Sequence, residues 1–546
     1  MRIVQRQEWF RWLKVLTGIG LGTGILLAAA TDTPDPRVDE LMNLFVKKGL
    51  VTQDDVAQIK AEADAMRTNN GALPAASKWK ISDAIKSVEL FGDLRLRYEH
   101  RQGTSPADNR LELDRGRYAV RLGLRGDASD DFYYGLRLES AANPRSPWVT
   151  FGTSSGGIPL KASPSSGAIP YQGPFGKDTS GMYLGQVYLG WHPEKWLDLT
   201  AGRMPNPLFT TPMVWDSDLS PEGVVERFHS TVGDADFFAN LGQFLYQDTN
   251  PDYSSGGMIN NDPFGLLTRN VDQLFLLTWQ AGFNYHFTTN VSAKMAGTLY
   301  QYVGRLQTNV APYFGSDFIG EGAYTGPNGT YVNGASGYGV VNVNGFGYNS
   351  FGFPNNQVGV DHLLVLEVPL ELNFKLGSLD AKIFGDAAYN LQGRQRAEAA
   401  AAGYANYLGP QQLTPSTVTP FAPQKNDCKA WQAGFALGNQ GSLGMVYGTT
   451  SRKHGWEFRT YWQHVEQYAL DPNLMDSDFF EGRANLQGVY VALAYGFTDN
   501  AIGTFRYGYA SRINNLLGTG GSNQDMPWIN PIQDYQILQL DFTLRF

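Results

Sequence analysis

The chain has 546 residues, a formal net charge of −9 and a single cysteine, Cys428. One cysteine excludes an intrachain disulfide, and an acidic chain whose basic residues are dispersed excludes a nucleic-acid-binding arm. Beyond the N-terminus no apolar run approaches the ~18 residues of a spanning helix, so any membrane crossing must be made by strands.

The N-terminus carries Arg2, Arg6, Arg11 and Lys14, then an apolar stretch from Val15 to Leu27, then Ala28, Ala29 and Ala30. A basic head, a short oily centre and small residues describe a secretory signal peptide over 1–30, cleaved near Ala30. Residues 31–86 change character. Val38, Leu41, Met42, Phe45 and Val46 recur at helical spacing, Gly49 stands where a helix would be capped, and Thr52 with Asp55 resembles a capping box opening a second helix. This predicts a periplasmic helical hairpin, followed by a linker around Pro74. It has too few apolar residues for a core of its own, so it packs against itself across a trimer or beneath the remainder of the chain.

From residue 87 onward the period is two. Leu90, Leu94, Leu96 and Tyr98 fall on one face, and Asp93, Arg95, Arg97 and Glu99 on the other. Side chains on a strand alternate between faces, so one face meets oil and the other water. The next strand sets Tyr118, Val120, Leu122 and Leu124 against Arg115, Arg117, Arg121 and Arg125. A polar turn then leads to Leu136 and Leu138 opposite Arg137 and Glu139. Further alternating segments fall at 181–192, 196–204, 222–229, 235–246, 272–287, 291–303, 361–376, 379–391, 428–438, 454–466, 484–498, 501–512 and 532–546. Short connections alternate with long ones, including 101–114, 143–180, 205–221, 304–360 and 392–427. The connection 439–453 exceeds an ideal turn. About sixteen strands, with both ends on the short-turn side, predict an all-β transmembrane antiparallel barrel over 87–546.

Arginine facing lipid near the midplane would cost ~2–4 kcal/mol, so Arg95, Arg97, Arg115, Arg117, Arg121, Arg125 and Arg137 are expected on a wet inner wall. There they form an anion-attracting stripe, a salt-bridge ladder with Asp93, Glu99 and Glu139, or both. The 205–222 segment is stiffened by Pro205 and Pro207. Folded inward, it would set Arg203, Asp216, Asp218 and Glu222 opposite those arginines at a constriction; as an ordinary external loop it would not. Met475-Asp476-Ser477-Asp478 repeats the Asp-Ser-Asp unit but lacks the glycine and glutamate of a calcium loop. The histidines show no metal-ligand spacing, and His464 with Glu466 reads as lumen lining. Gly152-Thr153-Ser154-Ser155-Gly156 matches a hydrolase pattern without the strand–turn–helix setting that chemistry needs. Neither cofactor nor metal is expected.

The run Phe91 to Glu99, the Gly202–Pro207 unit with Trp215–Leu219 and Glu222-Gly223, and the terminal Phe546 together resemble the "putative porin" family of bacterial outer membranes. So does Lys47-Lys48-Gly49-Leu50-Val51-Thr52 within the hairpin. The similarity spans most of the mature chain. It implies a passive, sixteen-stranded diffusion channel for small hydrophilic solutes, seated in outer-membrane lipid, and leaves a homotrimer open. The ending Phe542, Leu544, Phe546 is similar to the signal by which barrel-assembly machinery recognises such chains. The expected function is therefore a porin and not an enzyme. The alternatives are a barrel enzyme of lipase or protease type, whose catalytic set cannot be assembled from these residues, and an adhesive or structural barrel acting through its long loops.

Overall fold

The chain divides into two units, 1–83 and 84–546. The computed structural model describes residues 85–546 apart from 106–107, 109, 142–145, 152–180, 249–272, 305–361, 399–426, 450, 516–518, 520–525 and 527–531. The signal peptide, the helical hairpin, Gly152–Gly156 and nearly all of 304–360 lie outside the described residues.

Strands β1 (Glu89–Thr104), β2 (Arg110–Asp127), β3 (Phe132–Ala141) and the two-residue β4 (Val149–Thr150) come first. They are followed by β5 (Gly181–Glu194), β6 (Leu197–Arg203), β7 (Glu222–Val232), β8 (Ala235–Asp248), β9 (Gln273–Thr288) and β10 (Val291–Gly304). The remainder are β11 (Leu364–Leu376), β12 (Leu379–Asn390), β13 (Lys429–Gly438), β14 (Trp456–Val465), β15 (Leu486–Gly496), β16 (Ala501–Arg512) and β17 (Asp534–Arg545). Every pairing is antiparallel. β1 pairs with β2 on one side and β17 on the other, while β4 merely covers β2 beyond the end of β3. Leaving β4 aside, the sixteen others close a barrel with no free edge, which satisfies every wall strand's backbone without water.

Alternation decides which way each side chain faces. Leu90, Leu94, Leu96, Leu122, Leu124, Trp279, Trp462, Leu493, Leu540, Phe542 and Leu544 are all exposed on the outer surface. Arg97, Glu99, Gln280, Glu367, Asp386, Arg459 and Asp541 are buried on the inner one. An apolar exterior around a polar interior is the inverse of a soluble globule and the pattern of a lipid-facing barrel. The seam is held by reciprocal backbone bonds, Gly92 N to Phe546 O at 3.0 Å and Phe546 N to Gly92 O at 3.1 Å. A Cβ on Gly92 would come within 2.7 Å of the Phe546 ring, so only glycine leaves room for that ring against the seam.

Two expectations require correction. The long external connection over 101–114 is instead a continuation of the β1–β2 ladder out to Thr104 and Arg110, which leaves only 105–109 outside it. His100, Gln102, Arg110 and Glu112 on the outer face interrupt the apolar alternation there, yet the ladder needs only backbone partners. His464 does not line the lumen. It shares the outer face with Trp462 and stacks on Trp431 at 5.8 Å, because the inward positions of β14 are Glu457, Arg459, Tyr461 and Gln463.

Candidate functional site

Two long connections, and a third from the short-turn side, turn back into the barrel. The first, 204–221, opens and closes on the register pairs Gly202–Gly223 and Arg203–Glu222. Gly202 has φ 120° and Gly223 φ 153°, and a Cβ on either would lie within 2.3 Å of a neighbouring carbonyl. The chain can leave the wall here because both residues are glycine. Phe209 N donates to Gln280 of β9 at 2.9 Å, Thr210 to Glu367 of β11 at 2.5 Å, and Thr211 to Asp386 of β12. Trp215 meets Phe244 of β8 edge-on. The segment then returns across the interior, where Asp218 accepts from Arg121 of β2.

The second connection, 466–485, crosses in the same way. Asp471 accepts from Tyr246 and Tyr302 at 2.8 and 2.6 Å on one side. On the other, Asp478 accepts from Arg97 at 2.9 Å and from Gln539 at 3.0 Å. The two connections bolt together where they cross. Asp216 N donates to Leu474 O at 2.6 Å, Asp476 N to Pro212 O at 3.1 Å, and both N and Oγ of Ser477 donate to Asp216 Oδ2. From the short-turn side, Met445 and Val446 of 439–455 tuck in fully buried, with Gly444 N and Met445 N donating to Glu457.

These insertions leave a small pocket against the wall of β1 and β16. Arg95, Arg97, Arg506 and Trp148 border it on the wall side, with Asp216, Asp218, Asp476 and Asp478 on the crossing loops. Arg97 is clamped by Asp541 at 2.7 and 2.9 Å and lies 4.0 Å over Trp148. Burial, then Asp218, pushes the Asp216 carboxyl up to about 7. Burial, then Asp216 and Asp478, pushes Asp476 well above the usual carboxylate range. Burial opposes ionisation of Asp478 as well, but Arg97 and Arg101 outweigh it and hold that group low.

The other arginines singled out in the sequence are distributed along the inner wall. Arg115 pairs with Glu99, and Arg117 stands 3.8 Å from the same carboxylate. Arg95 pairs with Asp93 at 2.6 Å, and Arg137 with Glu139 at 3.1 Å. Arg125 sits apart, at the short-turn rim, with its side chain 54% exposed and paired to Glu89. Arg203 and Glu222 pair with each other at the neck of the first connection and do not border the pocket. Arg506, Trp148, Tyr447, Tyr461 and Tyr490 border it without having been singled out. The parity of β14–β16 would have put Arg506, Tyr461 and Tyr490 on the inner face, but nothing in the sequence foretells Trp148 or Tyr447.

A closed sixteen-stranded barrel with an apolar exterior and a charged interior defines a barrel of the porin type. The chain belongs to the family described as "Putative porin", whose model matches residues 102–546. No curated protein matches the chain. Among solved structures, OmpT, an outer membrane protein of Vibrio cholerae, aligns at 9% identity over 86% of this chain and 99% of its own, with a TM-score of 0.35. A mutant of Rh. blastica porin aligns at 6% identity over 84% and 100%, with a TM-score of 0.33.

Proposed function

We propose that this chain is an outer-membrane porin through which small hydrophilic solutes and ions diffuse passively, narrowed where 204–221 and 466–485 cross. The observation that carries the reading is the charged pocket at that crossing, inside a wall whose outer face is apolar. Arg95, Arg97 and Arg506 at the pocket, with Arg121 behind Asp218, give the narrow zone a basic field while Asp216 and Asp476 are uncharged, which favours anions. On this reading the chain is exported by a signal cleaved near Ala30 and is not an enzyme. It reaches the bacterial outer membrane through assembly machinery that recognises Phe542, Leu544 and Phe546.

Single-channel recording in a planar bilayer tests it. Stepwise currents are expected, with a reversal potential in a salt gradient that marks anion preference. Arg121→Glu should move that potential toward cations, because Arg121 is buried against Asp218 beside the pocket. Arg125→Glu, at the exposed rim, should move it less. A barrel that carries no current, or whose preference ignores Arg121→Glu, overturns the channel or the basic wall respectively.

A further inference from the structure

Most of the wall charge is fixed. Arginine keeps its proton at any accessible pH, and the wall carboxylates Asp93, Glu99, Glu139 and Asp541 each sit in an arginine pair. The crossing is different. It is built from two Asp-Ser-Asp turns, 216–218 and 476–478, that face one another, and within each turn the two aspartates have opposite roles. The second of each goes to the wall, Asp218 to Arg121 and Asp478 to Arg97 and Arg101. The first of each goes to backbone and hydroxyl donors. Asp216 accepts from Asp218 N at 2.9 Å and from Ser477, and Asp476 from Asp478 N and Phe479 N, both at 3.2 Å. Among the described residues neither Asp216 nor Asp476 makes an ion pair, and both border the pocket.

Resting on the diffusion-pore reading, we propose that Asp216 and Asp476 are specificity-determining residues of the channel. Uncharged, they leave the narrow zone basic and anion-preferring; ionised, they cancel part of that field. The wall sets the sign of the preference and these two carboxyls set its size.

The groups facing them support this division. Their own turns present Asp218 and Asp478, β1 presents Arg95 and Arg97, β2 presents Arg121 through Asp218, and β16 presents Arg506. The phenols of Tyr447, Tyr461 and Tyr490 complete the surround. Among the carboxyls bordering the pocket, Asp216 and Asp476 are therefore the two without an arginine partner. Burial places the first ionisation near neutrality, at Asp216, and that charge makes the loss of the second proton harder, because like charges in one site oppose each other.

The test uses the full-length protein in neutral phosphatidylcholine bilayers, with a KCl gradient near 0.1 M so that the field is not screened out. Reversal potentials are compared at about pH 5.5 and about pH 8.5. The chloride-over-potassium permeability ratio should fall about twofold or more on going to the higher pH. The D216N/D476N variant should hold the low-pH ratio at both values. A parent whose ratio is the same at both pH values overturns the proposal, as does a double variant that follows the parent. If the double variant does not assemble, D216N alone should remove most of the shift, and a full parental shift in that variant overturns the proposal. Absence of stepwise currents from the parent at either pH sinks the pore reading itself, which distinguishes that failure from this one.

Discussion

Arg97 donates to both oxygens of Asp541 and to Asp478, with its guanidinium lying on Trp148. Removing it would take one of two cations from each carboxylate, leaving Asp541 to Arg506 and Asp478 to Arg101. Breaking a buried pair by deleting one partner costs about 3–5 kcal/mol when the other is left uncompensated; with Arg506 and Arg101 still in place, Arg97→Ala should lower the urea midpoint of the refolded barrel by an amount corresponding to the lower part of that range. The contrast is Arg125→Ala, which removes an exposed pair at the rim and should leave the midpoint unchanged within error. Both residues share one face of two neighbouring strands and look equivalent as sequence. Their difference comes from what lies across the lumen, namely Asp478 from a segment far along the chain and Trp148 from an excursion with no strand pattern.

At the level of elements, the crossing loops should respond to pH. The folded chain holds the Asp216 proton more tightly than an unfolded one does, so its contribution to loop docking is fully present below the ordinary carboxylate range, around pH 4. That contribution declines as pH rises through about 7. Hydrogen-exchange protection of 466–485, corrected for intrinsic rates, should therefore fall between about pH 5.5 and about pH 8.5, and D216N should flatten the change. A second prediction concerns the anchor. Thr210→Val with Thr211→Val removes the donors to Glu367 and Asp386, and should raise single-channel conductance and current noise while leaving the barrel folded. The wall strands were legible because alternation is a local property that any window of the chain displays. The insertions were only half legible. Pro205, Pro207 and the aspartates marked 204–221 as unusual, and Asp-Ser-Asp was visible twice, but no local pattern says that Asp216 and Ser477 meet across 261 positions. The β1–β2 extension was missed for the converse reason: above the oily zone a strand carries whatever side chains it likes, and the period disappears while the ladder persists.

At the scale of the whole molecule, the apolar outer belt predicts where charge is forbidden. Leu94→Arg turns a guanidinium toward acyl chains and should cost ~2–4 kcal/mol if the residue lies near the bilayer midplane, measured as a loss of stability in lipid vesicles. Arg95→Leu, one position away on the inner face, should cost far less of the belt's stability and act on conductance instead. Neighbouring residues would then report opposite solvents, a result that a soluble sandwich could not reproduce.

The seam gives the molecule a peculiar birth. Asp93 stands opposite Arg545 and Leu94 opposite Leu544, so the earliest stretch of the wall waits for the latest before either has a neighbour on that side. A nascent copy lacking its final dozen residues would present two raw edges to the membrane, a state that hydrocarbon does not tolerate. Closing so distant a contact is entropically slow. The ring must accordingly be kept apart from other chains until β17 reaches β1, and its completion is an all-or-nothing event.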